Sequence, residues 1–192
     1  MAVHEVLAMM PAALDRFGAR VHEVPAASWD APTPCSDWTV RDLVNHVTGE
    51  QLWAPHLLRG ETIEQVGDRY DGDVLGADPT TVWDEAAAQA RRAWESVDDG
   101  QQVHTSMGWI PVEEYAEQMH LDLVVHGWDL ARGAGLDASV PADAAERVLA
   151  YAEPRADDFS GSGIFGPPVP IESDDPADRL LALLGRDPRP VH

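Results

Sequence analysis

Residues 111–133 read PVEEYAEQMHLDLVVHGWDLARG, and this stretch decides the fold class. Pro111 suits the first position of a helix, and Gly133 suits the position just after its end. The sequence therefore predicts a long helix from Pro111 to about Arg132. Two ionisable side chains, Asp122 and His126, lie among the apolar residues of this helix, so the same stretch also holds the first candidates for chemistry.

Three further long helices are predicted earlier in the chain. Apolar residues recur at helical spacing over the first 24 residues, where Pro11 starts or kinks the helix. Thr39 is a predicted N-cap, and Asp42 three residues later completes a shortened capping box. The predicted segments are residues 1–24, Val40 to about Arg59, and Pro79 to Trp94. Shorter elements are a loop over 60–78, an extended stretch from Gln102 to Ile110, a helix from Pro141 to about Ala152, and a last helix from Ala177 to Leu184.

Four long helices with one mixed connection predict an all-α fold, an up-and-down four-helix bundle. We expect one bundle domain over residues 1–155. The Gly- and Pro-rich residues 156–192 then form an irregular extension that ends in a small extra helix and packs on the same domain.

Charge and composition exclude several classes of function. The chain has 13 basic and 34 acidic residues, a net charge of −21, which disfavours nucleic acid and anionic membranes as partners. All 13 basic residues are arginine, so lysine chemistry such as Schiff-base formation is excluded. A single cysteine permits neither an internal disulfide nor a multi-cysteine zinc site. With no signal peptide or membrane-spanning run, we expect a soluble, cytoplasmic protein.

A metal site is the sharpest hypothesis that the spacing supports. Asp122 and His126 are four residues apart and so lie on one face of the predicted helix. His46 shares a face of the second helix with Leu43 and Val47 and can also point into the bundle. Two histidines and a carboxylate from facing helices can bind a divalent metal and leave positions open. The alternative is an ordinary hydrogen-bonded Asp–His pair with an unrelated interior histidine.

Glu50 and Trp53 are weaker candidates near this site. Glu50 follows His46 by one turn, so it is a candidate partner of a ligand or a proton acceptor. Its alternative is a solvated or helix-facing carboxylate. Trp53 follows His46 by two turns and is a candidate lining residue of a substrate cavity, although tryptophans in a bundle are chiefly packing residues.

Two other side chains, Cys35 and His120, are not predicted to take part in the site. Cys35 precedes a helix N-terminus, where a thiolate nucleophile is favoured, but a small buried residue in a Pro-rich loop is the commoner outcome. His120 precedes Asp122 by two residues, which places it on roughly the opposite face of the helix. We therefore expect His120 at the surface or periphery, and it is not counted as a ligand.

The motifs resemble those of a known family. The run TPCSDWTVRDLVNH, residues 33–46, resembles the start of the second helix in the mycothiol-dependent maleylpyruvate isomerase metal-binding domain family, which belongs to the DinB-like bundles. The run DLVVHGWDLAR, residues 122–132, is similar to its second motif. Residues 165–170 and 178–186 resemble the ending of a short, single-domain actinobacterial branch. The resemblance spans nearly the whole chain.

This resemblance implies a bundle that holds one divalent metal, commonly zinc, through His46, Asp122 and His126. The ligand types also admit nickel, iron or manganese. In relatives, the metal lowers the pKa of a low-molecular-weight thiol such as mycothiol for attack on a small-molecule electrophile. Asp122 stands where the isomerase usually has glutamate, and 192 residues leave no room for the isomerase's further C-terminal domain. Maleylpyruvate isomerisation itself is therefore not expected.

The resemblance favours a thiol S-transferase or a thiol-assisted isomerase. A non-catalytic metal- or small-molecule-binding bundle is the main alternative. A non-haem iron oxygenase uses the same ligand types but usually a β-barrel fold, which nothing in the sequence indicates. Related bundles often pair, so a homodimer is among the oligomeric states left open.

Overall fold

The computed structural model describes residues 2–35, 37–162 and 165–189; Ser36 of the first motif and residues 163–164 and 190–192 of the predicted extension lie outside this range. The elements, in chain order, are α1 (Ala2–Glu23), α2 (Val40–Leu58), α3 (Ile63–Val66), α4 (Pro79–Trp94), β1 (Gln102–Thr105), β2 (Gly108–Pro111), α5 (Val112–Ala134), α6 (Ala142–Ala152), a 3-10 turn (Glu153–Arg155), α7 (Ala156–Ser162) and α8 (Pro176–Leu183).

The four long helices α1, α2, α4 and α5 form the predicted bundle. Helix α1 packs against α5 and α4, and α2 packs against α4 and α5, so each helix has two neighbours. Apolar side chains from all four helices build one core, with Phe17, Leu43, Trp83 and Leu130 each at most 1% exposed. The prediction of an all-α bundle is confirmed. Among the described residues, no helix combines the length and hydrophobicity that a membrane-spanning segment requires.

The helix beginnings follow the capping signals in the sequence. The Thr39 side chain accepts a hydrogen bond from the Asp42 backbone N–H, and the Asp42 carboxylate accepts one from the Thr39 backbone, which completes the capping box. Asp78 caps α4 in the same way by accepting from the backbone of Thr81, with Pro79 at the first helical position. These caps fix where α2 and α4 enter the bundle.

A two-stranded antiparallel hairpin joins α4 to α5. Strands β1 and β2 pair with His104 opposite Trp109 and Val103 opposite Ile110. Val103 is fully buried against the bundle, whereas Trp109 is 55% exposed. The predicted extended stretch is thus confirmed, and the hairpin delivers the chain to the start of α5.

The predicted end of α5 at Gly133 is wrong. The helix continues to Ala134, and Gly135 ends it in the left-handed conformation with φ of 72°. A Cβ atom on Gly133 would lie 2.9 Å from the Thr33 side chain and 3.1 Å from the Pro32 carbonyl oxygen. Gly133 is therefore required by the close approach of the 32–33 loop to α5, a tertiary contact that the local sequence does not reveal.

Two stretches predicted to be irregular contain short helices. The 60–78 loop includes α3, which begins with its own capping box between Thr62 and Gln65. The extension predicted as irregular begins with α7, so that prediction is wrong for these seven residues. Both helices are too short for a reliable periodic signal, since periodicity is read over 11–18 residues.

The chain divides into two compact units, Met1–Ala138 and Ser139–His192. In the second unit, α6 packs against α8, and Val148 and Leu180 are buried. Helix α8 is followed by Gly185, whose φ is 82° and whose close contact with Gly166 leaves no space for a Cβ atom. The division of the chain after residue 155 stays a prediction.

Candidate metal centre

Helices α2 and α5 bring the three predicted ligands together. Nε2 of His126 lies 3.2 Å from Oδ1 of Asp122, and Nε2 of His46 lies 3.5 Å from the other carboxylate oxygen, Oδ2. One ligand atom from each side chain lies within 4.8 Å of those from the other two. The two imidazoles therefore converge on a single carboxylate, each through its Nε2 atom and each at a different oxygen.

The Trp38 ring packs at a tilt against both histidine rings just before α2 begins. Its ring centroid lies 4.8 Å from that of His46 and 5.7 Å from that of His126. The two imidazoles meet edge to face at 5.3 Å. Because the capping box at Thr39 fixes the chain directly after Trp38, the indole holds both histidine rings at set angles.

Asp129 orients the His126 ring from its far side. Nδ1 of His126 lies 3.1 Å from Oδ2 of Asp129, and Asp129 is fully buried. If Nδ1–H donates to this carboxylate, Nε2 keeps a free lone pair toward Asp122 and His46. The sequence analysis did not select Asp129. The signal for it was the i, i+3 spacing from His126, which places both on neighbouring positions of one helix face.

The charges of the centre stabilise one another. Burial would raise the pKa of Asp122, but the charges and hydrogen bonds of His126 and His46 lower it well below its usual range. Burial would lower the pKa of His126, but Asp122 and Asp129 raise it from 6.5 to about 9. For His46 the burial effect is likewise outweighed by Asp122, and its pKa is raised. Without metal, His126 is therefore protonated near neutral pH, and Asp122 also favours the protonated form of His46.

The donor set fits a divalent cation. Oδ2 of Asp122 is buried, and its contact with Nε2 of His46, at 3.5 Å, is too long for a well-formed hydrogen bond. A buried carboxylate oxygen in this state is costly unless a cation satisfies it. Two imidazole nitrogens and one carboxylate are ligands that suit zinc, nickel, iron or manganese, and three protein ligands leave positions open for water or substrate.

Glu50 lies beside the centre, as the spacing predicts. Burial raises the pKa of its carboxyl, and the charge of Asp122 raises it further, while His46 and His126 act in the opposite direction. Trp53 is half-buried and lies against Tyr70, with ring centroids 6.3 Å apart. The roles of Glu50 and Trp53 stay predictions.

Cys35 lies next to the centre, whereas His120 does not lie where the sequence predicted. The half-buried Cys35 has its sulfur within 4.8 Å of ligand atoms of His126 and Asp129, so it borders the centre on the Asp129 side. The prediction of His120 at the surface is wrong, since this residue is fully buried. Buried residues occur on nearly every face of α5, so the side opposite Asp122 is also interior.

Residues 10–131 match the sequence profile described as the mycothiol maleylpyruvate isomerase N-terminal domain. Two relatives from Mycobacterium tuberculosis, the uncharacterized proteins MT0763 of strain CDC 1551 and Rv0738 of strain H37Rv, are each 33% identical to this chain over 187 residues. Each alignment covers 92% of this chain and 95% of the relative.

Solved structures share the fold. A crystal structure of the mycothiol-dependent maleylpyruvate isomerase superimposes with a TM-score of 0.61 and 17% identity, over 82% of this chain and 69% of that one. A point mutant of the isomerase gives a TM-score of 0.66 at the same identity, over 84% and 72% of the two chains. Since the profile covers more than half of the chain, the chain belongs to the mycothiol maleylpyruvate isomerase N-terminal domain family.

Proposed function

We propose that this protein is a metal-dependent enzyme of thiol chemistry, an S-transferase or thiol-assisted isomerase. It binds one divalent metal through His46, Asp122 and His126, and zinc is the metal that we expect. Its cosubstrate is a low-molecular-weight thiol of the mycothiol type, and its substrate is a small electrophile. The observation that supports this best is the convergence of two Nε2 atoms on one half-buried carboxylate. Family membership supports the thiol.

A metal bound here supplies one effect, the lowering of the pKa of a thiol that coordinates it. Residues of the chain itself orient the ligands and position the rings of the site. Asp129 keeps the His126 ring in the tautomer that presents Nε2 to the centre. Trp38 packs against both imidazoles and helps to hold their rings in place.

Glu50 is the proposed proton acceptor. Burial and the neighbouring Asp122 raise the pKa of its carboxyl, which makes it a better base than an exposed glutamate. When the thiol S–H bond breaks, the proton passes to Glu50 and the electron pair stays on sulfur. The sulfur then forms a bond to an electrophilic carbon, while that carbon's bond to a halide or to an epoxide oxygen breaks and the leaving atom takes the electron pair, or the C=C pair of an enone shifts toward its carbonyl oxygen. A transferase keeps this S–C bond in its product, whereas an isomerase breaks it again and releases the thiol.

We propose Trp53 as an apolar wall for the electrophile, because it is half-buried and follows His46 by two turns on α2. A cytoplasmic location fits a reduced thiol cosubstrate, as does the presence of only one cysteine. These two assignments depend on the thiol chemistry and do not bear on the metal ligands.

The first test is the metal content of untagged protein by elemental analysis, with wild type beside His46→Ala. We expect about one equivalent of zinc or another transition metal per wild-type chain and its loss in the variant. His22→Ala is the matched control, because His22 also pairs with an aspartate, Asp84, but lies exposed on α1. Equal metal in wild type and His46→Ala, or none after reconstitution with zinc, contradicts the ligand assignment.

The second test is thiol consumption with a panel of aryl halides, epoxides and enones as electrophiles. We expect mycothiol to be consumed by the zinc-loaded wild type and not by the metal-depleted protein. If zinc binds at one equivalent and no electrophile consumes thiol above the background, the protein is instead a metal-binding bundle without catalysis.

A further inference from the structure

Gly49 differs from the other glycines inside the described long helices, because no close contact explains it. At Gly18, Gly127 and Gly133, a Cβ atom would lie 2.6, 2.8 and 2.9 Å from the nearest atom of another residue. A Cβ atom at Gly49 would have no described atom within 4 Å, and the φ angle of Gly49 is not positive. Glycine is less favourable than alanine inside a helix, so α2 loses stability here without a structural need. What Gly49 provides is open space beside the helix.

This open space lies between the metal centre and Trp53. Gly49 follows His46 by three residues and precedes Trp53 by four, so the three positions lie within about 60° of one another around the axis of α2. His46 and Trp53 are seven residues apart, which is about 10.5 Å along the helix. A small molecule held at His46 can therefore extend over Gly49 as far as the indole of Trp53.

Residues 70–74, here called the strap, run alongside α2 and border the open space. The side chain of Asn45 makes two hydrogen bonds to the strap backbone, of 2.8 and 2.9 Å. At the other end of the strap, the hydroxyl of Tyr70 lies 2.8 Å from Nε2 of His56. These attachments lie one turn before and two turns after Gly49. The strap is thus fixed on both sides of Gly49 and yet leaves the space beside it unfilled.

The end of this space remote from the metal centre is aromatic. The rings of Trp53 and Tyr70 meet edge to face, with centroids 6.3 Å apart and planes at 64°. The hydrogen bond to His56 restricts the Tyr70 ring to this position. An aromatic ring packs on such side chains more favourably than an aliphatic chain of similar area, because ring edges and faces attract one another. The bare backbone at Gly49 leaves room for the flat ring to approach Trp53.

We propose that Gly49 is a specificity-determining residue, whose missing side chain keeps open a groove for the aromatic ring of the electrophile. The groove is bounded by His46, Trp53 and the strap. This inference rests on the proposed function, because the reacting carbon of the electrophile has to lie at the metal-centre end of the groove. It names aromatic electrophiles as the substrate class, which the family resemblance leaves open.

The test is a titration of the nitrogen-15-labelled protein with two probes, followed by NMR through the indole N–H signals. The probes are 1,3-dinitrobenzene, an aromatic ring without a leaving group, and 1-nitrobutane, an aliphatic nitro compound. Trp53→Phe assigns the Trp53 signal. We expect dinitrobenzene to shift this signal but not that of Trp83, which is buried between α1 and α4. We also expect it to bind about tenfold more tightly than nitrobutane, as aromatic packing allows. Equal affinity for both probes, or no shift at Trp53, overturns the proposal.

Gly49→Leu fills the groove without touching the metal ligands. We expect this variant to bind 1,3-dinitrobenzene about tenfold more weakly, because the added side chain occupies the space that the ring needs, and to bind zinc as wild type does. Ala88→Leu is the matched control, because it adds a side chain of the same kind at an exposed position of α4. We expect no change in either affinity for the control. Unchanged dinitrobenzene affinity in Gly49→Leu overturns the proposal.

The melting temperature of Gly49→Ala separates a groove from a structural role. Alanine favours the helix and its Cβ atom meets nothing, so we expect a melting temperature equal to or above that of wild type. A clear drop indicates that the fold itself needs glycine here and overturns the proposal.

The titration is made with zinc-loaded and with metal-free protein, so that the two proposals fail separately. If dinitrobenzene binds at Trp53 but the protein takes up no zinc, the proposed function is wrong and the groove remains as a site for aromatic rings. If zinc binds and thiol is consumed but dinitrobenzene does not bind, the inference about Gly49 alone is wrong.

Discussion

Two helix pairs of the bundle, α1–α4 and α2–α5, differ in the polarity of the side chains that meet between them. Between α1 and α4, Phe17 packs on Trp83 with ring centroids 4.6 Å apart, and both side chains are buried. Gly18 allows this contact, since a Cβ atom there would lie 2.6 Å from Nε1 of Trp83. Between α2 and α5, the facing side chains include two histidines and a carboxylate within 4.8 Å of one another.

This difference separates stability from function within one fold. The α1–α4 pair gains free energy by burying large apolar rings, which needs no ligand. The α2–α5 pair carries desolvated charges and hydroxyls that offset one another only in part, and a bound cation would satisfy them. Changes at α1–α4 should therefore alter the free energy of unfolding, and changes at α2–α5 should alter metal affinity.

The largest effect on stability is expected from Trp83→Ala. Removing a fully buried indole leaves a cavity, and such substitutions cost about 3–5 kcal/mol of unfolding free energy. Urea denaturation of the metal-free protein measures this loss. Zinc affinity under conditions where the variant is still folded should match wild type. A weakened zinc affinity in the folded variant would show that the two helix pairs are coupled. Stability and metal binding would then not be separate properties of the two pairs.

The next effect is expected from Asp129→Asn, which replaces the carboxylate that accepts from Nδ1 of His126. We expect zinc affinity to fall about 10–100-fold, because partners of this kind orient and polarise metal-binding histidines. Competition with a chromophoric chelator measures the affinity. Asp84→Asn is the control, since Asp84 pairs with His22 at the exposed edge of α1–α4. Equal zinc affinity in Asp129→Asn and wild type would show that Asp129 has no role at the centre.

The smallest effect is the pH dependence of zinc affinity. Asp122 and Asp129 raise the pKa of His126 to about 9 against the opposing effect of burial, so its ring is protonated at pH 7 in the metal-free protein. Zinc needs the neutral ring, so binding releases this proton, and affinity falls about tenfold for each pH unit below 9. Asp122, whose pKa is lowered, is already ionised and releases none.

Calorimetry in two buffers of different ionisation enthalpy counts the protons released. We expect at least one per zinc ion at pH 7.5 and the same count in Trp83→Ala, because that change lies in the other helix pair. The free energy of unfolding of the metal-free protein should show the opposite pH dependence to that of zinc affinity. A raised pKa in the folded state stabilises it below about 6.5, and this stabilisation is lost as pH rises toward 9. Zinc binding without proton release would contradict the charged state assigned to His126.

Local signals in the sequence predicted much of the fold and part of the site. Caps such as Thr39 and Asp78 act within one turn of backbone, so the starts of α2 and α4 were readable from neighbouring residues. The i, i+4 spacing likewise placed Asp122 and His126 on one face. Whether they bind metal is a separate matter, which the metal analysis decides.

The errors have a common cause in contacts between distant segments. Gly133 lies where a loop from residue 32 crosses α5, and local rules therefore misread it as a helix stop. His120 was assigned to the surface because a two-residue offset rotates it away from Asp122. Helix α5 is buried on that side as well, which a helical wheel does not reveal.

The sequence by itself determined the four long helices, the caps of α2 and α4, and the acidic, lysine-free character of the chain, because these depend on composition and on neighbours within a few residues. Only the tertiary structure decided which faces meet. It set His46 opposite Asp122 and left the hydroxyl of Tyr115 buried without a hydrogen-bond partner among the described residues. Such an environment depends on residues that are far apart in sequence, and packing alone brings them together.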